Sequence, residues 1–198
     1  MNGIIMDEKN NAFQVTDENI VFTSPLFEIQ AASIHCQRSG DAQRFYRFRC
    51  ADWVNIVAET PEGKILVIRQ WRYGSGGEEI EIPGGTIEAG EDPVRAGCRE
   101  LLEETGYSGE HAEIIGKVYP NPAIQANVTY TVFVRQAARV QPPRFDGMED
   151  ISCHAITKDE LWRLVDDGRI RHGLVLNALL FYQRRRTLDR SAVAGKSC

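Results

Sequence analysis

Residues 85–107 read GTIEAGEDPVRAGCRELLEETGY, and the rest of the chain is organised around them. A glycine turn opens the stretch, Glu91-Asp92-Pro93 restarts it and Gly106 closes it. The Asp92 carboxylate can accept hydrogen bonds from the free N–H groups of a first helical turn, and Pro93 then stands where a missing N–H costs nothing. No proline follows between Val94 and Thr105, and Gly106 can take the left-handed conformation that ends a helix. The pattern predicts a turn followed by a helix of at most about three turns.

On that helix Glu100 and Glu104 are four residues apart and share one face, with Glu103 beside them. Three carboxylates repel one another there. Arg99 can pair with Glu103 at i+4, but an exposed pair of this kind contributes only about 0.3–0.5 kcal/mol. A solvated acidic face is the ordinary meaning of such a charge run. The other reading is a divalent cation: Mg²⁺ takes carboxylate and carbonyl oxygens and is typical of phosphate-processing sites.

The full spacing chooses between them. Gly85 is followed after five residues by Glu91, and after seven more by Arg99-Glu100-Leu101-Leu102-Glu103-Glu104-Thr105-Gly106-Tyr107. This resembles the Nudix box with every fixed position met, Tyr107 standing where an aliphatic residue is commoner. The resemblance implies a loop–helix–loop that binds Mg²⁺ or Mn²⁺ and hydrolyses a nucleoside diphosphate linked to another moiety. Glu100 and Glu104 match the family's principal metal ligands, and Glu103 matches the third carboxylate, a ligand or an orienting group. Arg99 matches the arginine that braces the glutamates. Gly84 matches the position whose backbone carbonyl joins the metal shell.

At 198 residues the chain can bury one good core, so one domain with an extension is expected rather than two full domains. A hydrophobic content of 42% with 26% charged residues is that of an ordinary globular protein. There is no apolar run of the length a membrane span needs, and the start MNGIIMDEKNNAF lacks the basic and apolar regions of a signal peptide, so a cytoplasmic protein is expected. The five cysteines are scattered without a C-x-x-C pair, which argues against a zinc site or a disulfide framework. A net charge of −5 argues against broad binding of nucleic acid or membrane surfaces, and suits a small anionic substrate carried by metal ions.

Along the chain, residues 1–17 lack periodicity and read as a flexible start. Strand-like runs follow at Ile20–Thr23, Phe27–His35 and Arg44–Cys50, with Ser39-Gly40-Asp41 as a turn. Such a small sheet needs cover from the main domain or from a second subunit. Trp53–Glu59 and Lys64–Trp71 read as a strand pair joined by a turn, the second apolar enough to be buried on both faces. Glu78–Ile82, Ile114–Tyr119, Val128–Arg135 and Ile151–Ile156 complete the strands, and Gln136–Gly147 reads as a loop. Thr157 caps a helix over Lys158–Asp166. A last helix over Gly173–Arg185 is expected to bury Leu174, Leu176, Ala178, Leu179 and Tyr182. The order suits a mixed sheet between helices, and the Nudix resemblance independently implies an α/β/α sandwich. The expected organisation is a small antiparallel β extension over 1–52, the Nudix domain over 53–185 and a flexible tail over 186–198.

Outside the box, RQWRYG, EIPGGTIEAGE, EETGY, Pro122 in YPNPAIQ, the acidic cluster Glu149-Asp150-Ile151 and the β-rich extension resemble the ADP-ribose pyrophosphatase branch. That resemblance implies Mg²⁺-dependent cleavage of ADP-ribose to AMP and ribose 5-phosphate by a homodimer whose small sheets exchange. Arg72 matches an arginine that grips substrate phosphates, its alternative being an ion pair with Glu78 or Glu79. Trp53 and Trp71 are stacking platforms or core residues, with core the commoner role for each. All four histidines are read as structural. The loop Pro122–Asn127 departs from the branch's Pro-Gly-rich form, and Gln125 and Asn127 could read a different terminal group, which keeps GDP-sugars and dinucleotides open. A non-catalytic nucleotide-sugar regulator is the competing class, but such a protein would lose box glutamates and none is lost. For the general base the resemblance implies a carboxylate on a loop after the box. Asp146, Glu149 and Asp150 are the candidates, and Glu149 matches best.

Overall fold

The computed structural model describes residues 12–145, 147–148 and 150–194. Its contacts divide the chain into two units, Met1–Cys50 with Asn121–Ala126, and Ala51–Pro120 with Asn127–Cys198.

The first unit is an antiparallel sheet of β1 (Phe13–Thr23), β2 (Phe27–Cys36) and β3 (Ala42–Cys50), in that order. Ser24 Oγ accepts from the Phe27 N–H at 3.0 Å in the first turn, and Gly40, at φ 76°, makes the second. β1 begins within the segment expected to be a flexible start. Asp17 has φ 51° and the register with β2 shifts between Thr16 and Asn19, so a bulge breaks the alternation by which the sequence would have announced a strand. Asn121–Ala126 runs beside β3, where the Phe48 N–H donates to Ile124 O at 2.7 Å and the Ala126 N–H to Phe48 O at 3.0 Å. Within β1–β3 only Ala31 and Ala32 are buried, while Phe13, Val15, Phe45 and Tyr46 are each more than half exposed.

The second unit carries two sheets. β4 (Trp53–Ala58), β7 (Gly84–Thr86), β8 (Tyr107–Val118) and β9 (Thr129–Arg139) form one in the order β7-β4-β9-β8, with β4 and β9 parallel. β5 (Ile65–Arg72), β6 (Gly77–Glu81) and β10 (Ser152–Ile156) form the other, antiparallel throughout. Successive side chains of a strand point to opposite faces, and here both faces are apolar. Val54, Ile56 and Ala58 of β4, Leu66 of β5 and Val132 and Val134 of β9 pack with Ala96 and Leu101 of α1 (Pro93–Thr105). Their neighbours Val57, Ile65, Val67 and Phe133 pack instead with Leu161 of α2 (Lys158–Asp166) and Val175, Ala178, Leu179 and Tyr182 of α3 (Gly173–Ala194). Helices therefore cover the strands from both sides, the α/β/α arrangement with a mixed sheet that the sequence predicts. No helix among the described residues is long and apolar enough to cross a membrane.

Capping follows the local sequence. Asp92 Oδ1 accepts from the Val94 and Arg95 N–H groups at 3.0 and 3.1 Å, and Thr157 Oγ1 from that of Glu160 at 3.2 Å. At 13 residues α1 slightly exceeds the three turns expected of it. The Tyr182 hydroxyl donates to Glu59 Oε2 at 2.7 Å and Lys158 Nζ donates to Glu59 Oε1 at 2.6 Å, which ties α3 and α2 to the end of β4.

Three further boundaries differ from expectation. β8 starts at Tyr107, directly after Gly106, and β9 continues to Arg139 into the stretch read as a loop. His111 and Gln136, both at φ 53°, interrupt the alternation in each strand, so only the regular portions are visible in the sequence. α3 continues past Arg185 to Ala194, where a flexible tail was expected, because no proline or glycine occurs between Gly173 and Gly195. Its buried face is Val175, Ala178, Leu179 and Tyr182, at helical spacing, with Leu176 turned outward.

Candidate active site

The box builds the site by bringing α1 against a pair of glycines. β7 pairs with β4 so that Gly84 faces Asn55 and Gly85 faces Val54. A Cβ added at Gly85 would lie 2.1 Å from the Glu100 carboxyl carbon, and one at Gly84 would lie 2.6 Å from Val54 O. Glycine at 85 admits the Glu100 carboxylate to the strand backbone, and glycine at 84 admits the backbone of β4. The Gly84 N–H donates to Glu104 Oε2 at 3.0 Å.

The three helix carboxylates lie at graded depth. Glu104 is buried, the Glu100 side chain is 14% exposed and that of Glu103 45% exposed. Buried charge requires partners, and Arg99 supplies most of them. Its Nε and Nη2 donate to Glu91 Oε1 and Oε2, each at 3.0 Å, Nη1 to Glu100 Oε1 at 2.8 Å and Glu103 Oε2 at 3.0 Å, and Nη2 also to Thr86 O at 3.0 Å. These contacts use all the donors a guanidinium has. The Glu91 hydrogen bonds are the main cause that raises the Arg99 pKa, and Arg99 holds Glu91 below the usual carboxylate range. Glu91, read in the sequence only as a box position, is thus the bidentate clamp on the bracing arginine.

These residues border a cavity of about 460 Å³, whose wall also carries Trp53, Gln70, Arg72, Glu88, Arg144 and Phe145. The Trp53 Nε1–H donates to Asn55 Oδ1 at 3.0 Å and its ring is half-buried. Arg72 pairs neither with Glu78 nor with Glu79. Its Nε and Nη2 engage Glu81 Oε1 and Oε2 at 3.0 and 2.7 Å, Arg69 takes Glu78, and Arg171 takes Glu79. Burial pushes the Glu81 pKa up, but His172, whose Nδ1 stands 3.5 Å from Oε1, and Arg72 outweigh it and hold the carboxyl at about 2. Trp71, for which a core role was favoured, is 58% exposed. Its partner in the antiparallel register, Glu78, is the second residue of β6, and its ring meets that of Tyr73 at a centroid distance of 6.1 Å.

The structure thus brings Trp53, Arg72, Gly84, Arg99, Glu100, Glu103 and Glu104 to one cavity. Gln125, expected at the substrate, belongs to the N-terminal unit, bridged to Phe48. Glu149 and Asp146 lie outside the described residues, and Asp150 is exposed just ahead of β10. Glu81, Gln70, Arg144 and Phe145 were not singled out from the sequence. Only for Glu81 was there a local signal, a charged residue at an inward position of the short strand β6.

Glu100, Glu103 and Glu104 bring to the cavity the carboxylate oxygens a hard divalent cation takes, with Gly84 beside them, although among the described residues no three acidic side chains are already gathered around a single point. Residues 51–179 match the NUDIX domain model, and the chain belongs to the Nudix family, as one of its hydrolases. It is similar to the ADP-ribose pyrophosphatase of Bacillus subtilis, 27% identical over 137 residues that cover 69% of this chain and 74% of the relative. It is also similar to the ADP-sugar pyrophosphatase of Mus musculus, 32% identical over 122 residues, 59% of this chain and 56% of that one. The crystal structure of an ADP compounds hydrolase superposes with a TM-score of 0.80 at 19% identity, covering 89% of this chain and 95% of the other, a likeness of fold. The expected branch is borne out by these relatives.

The Glu81 carboxyl generates a pH prediction. Its folded pKa of about 2 lies below the ordinary 4.5, so its stabilisation is complete above about 4.5 and is lost as pH falls toward 2. Glu81→Gln should remove on the order of 3 kcal/mol of that pH-dependent stability. Denaturant melts of wild type and variant between pH 2 and 7 should diverge as pH rises through this window; parallel curves would remove Glu81 as the titrating group.

Proposed function

We propose that the protein hydrolyses the pyrophosphate bond of a nucleoside diphosphate sugar in the presence of Mg²⁺, with ADP-ribose as the preferred substrate and AMP and ribose 5-phosphate as products. The observation that carries this reading is the meeting of three box glutamates with Trp53 and Arg72 on one cavity. The activities named for the bacterial and mouse relatives favour an adenosine diphosphate compound. The four described cysteines, all free of disulfides, are in keeping with a cytoplasmic setting.

Glu100, Glu104 and Glu103, with the Gly84 carbonyl, would hold Mg²⁺, which when bound polarises phosphoryl oxygens and makes water a better nucleophile. Arg99 pairs with Glu100 and Glu103 and holds them in place. Arg72, aligned by Glu81, offers a planar guanidinium to phosphate oxygens, and the Trp53 ring offers a face to a base. Water oxygen forms the new bond to one phosphorus, the bridging oxygen leaves with the other phosphate, and Glu149 takes the proton of the attacking water.

The N-terminal sheet supports a homodimer. Its exposed Phe13, Val15, Phe45 and Tyr46 form an apolar surface on a sheet with almost no core of its own, and a two-fold pair in which the small sheets exchange would cover it.

Four measurements test these readings. Across a panel of nucleoside diphosphate compounds with product identification, ADP-ribose should give the highest kcat/KM and activity should vanish with chelator; preference for a GDP-sugar or a dinucleotide would replace the substrate assignment, and no turnover of any compound would reject the hydrolytic one. Glu104→Gln should lower kcat at least about a hundredfold with little change in melting temperature, because a metal-holding charge is lost while shape is kept. Glu149→Gln should lower kcat while leaving the Mg²⁺ dependence unchanged, and an unchanged kcat would move the proton transfer to another group. Light scattering at micromolar concentration should return twice the chain mass, and a monomer mass would remove the dimer.

A further inference from the structure

A cavity that takes a diphosphate is defined by the donors it has to spare. Five side chains bring nitrogen donors to this wall: Trp53, Gln70, Arg72, Arg99 and Arg144. Trp53 is used by Asn55, Arg99 by Glu91, Glu100, Glu103 and the Thr86 carbonyl, and Arg72 by Glu81. The remaining two differ. Gln70 Nε2 is buried with no hydrogen-bond partner among the described residues, which is costly unless an acceptor is supplied to it. The Arg144 side chain has no hydrogen bond or ion pair among the described residues, although it borders a cavity carrying Glu88, Glu100, Glu103 and Glu104.

Arg144 is nevertheless held in place. The Val140 and Gln141 N–H groups donate to Gly106 O at 2.9 and 3.2 Å, and the Arg144 N–H donates to Glu103 O at 2.8 Å. This seam straps the chain after β9 onto the last turn of α1. It depends on Gly106, at φ 75°, where an added Cβ would lie 2.0 Å from Gln141 O. The next residue, Phe145, brings a 41% exposed ring to the same wall. A cation and an aromatic face are thereby presented side by side from one strapped segment.

We infer that Arg144 and Phe145 are a substrate-binding element: the Arg144 guanidinium takes non-bridging oxygens of the diphosphate, and the Phe145 ring stacks on the nucleobase joined to it. The inference rests on the proposed pyrophosphatase reading and adds to Arg72 and Trp53 two further residues that hold the substrate apart from the box.

Calorimetric titration of the full chain in Mg²⁺ with two probes, inorganic pyrophosphate and the non-hydrolysable α,β-methylene analogue of ADP-ribose, separates the two contacts. Arg144→Ala should weaken both probes by about tenfold or more, as loss of a charge-assisted bond does. KM for the hydrolysed substrate should rise by a matching factor with kcat little changed, and Arg144→Lys should restore part of the affinity. Phe145→Ala should weaken the analogue and leave pyrophosphate unaffected. Wild-type affinity for both probes in Arg144→Ala overturns the phosphate contact, and wild-type affinity for the analogue in Phe145→Ala overturns the stacking. A wild-type protein that binds both probes but cleaves no nucleoside diphosphate sugar rejects the hydrolytic reading while the variants still decide this one; failure to bind either probe rejects both.

Discussion

The site depends on one guanidinium. Arg99 meets Glu91, Glu100 and Glu103 together with the Thr86 carbonyl, so a single cation joins the turn before α1 to the middle and end of that helix. Without it, neighbouring carboxylates on one helix face would repel one another in a partly dry cavity, where their charges are poorly screened. A lysine has the charge but not the planar fork that serves four acceptors at once. The acidic cluster is therefore a braced structure.

Bracing requires close approach, and the backbone provides it. Gly84 and Gly85 lose more conformational entropy on folding than other residues would, but they let β7 lie close to β4 and the Glu100 carboxylate lie against β7, where the Gly84 N–H donates to Glu104. The same economy of space holds at the other end of α1, where Gly106 allows the chain after β9 to bond directly to the helix terminus. Strands apolar on both faces then clamp α1 on one side and α2 and α3 on the other, so the ends of α1 cannot drift.

The N-terminal unit follows a different logic. Three antiparallel strands with two buried alanines and several exposed aromatic and branched residues do not make a self-sufficient core. Ion pairs such as Asp17–Arg44 and Glu18–Arg47 decorate the sheet, yet exposed pairs contribute little. Its stability must come largely from whatever covers its apolar surface.

The box and its helix could be read from the sequence because they are local: Asp92, Pro93 and Gly106 act within one turn of themselves, and Arg99, Glu100, Glu103 and Glu104 share a face whatever the rest of the chain does. The two-sided burial of β5 was likewise legible, since its hydrophobic run records two covered faces. Strand lengths were not, because the irregular residues Asp17, His111 and Gln136 break the period on which such reading relies. Nor could the sequence say that Arg72 would turn to Glu81, nine residues away on a paired strand, rather than to the closer Glu78 and Glu79. Arg144 and Phe145 were invisible for the same reason in stronger form. Their position is decided by backbone bonds to residues some forty places earlier, and only the packing of β9 against α1 brings those groups together.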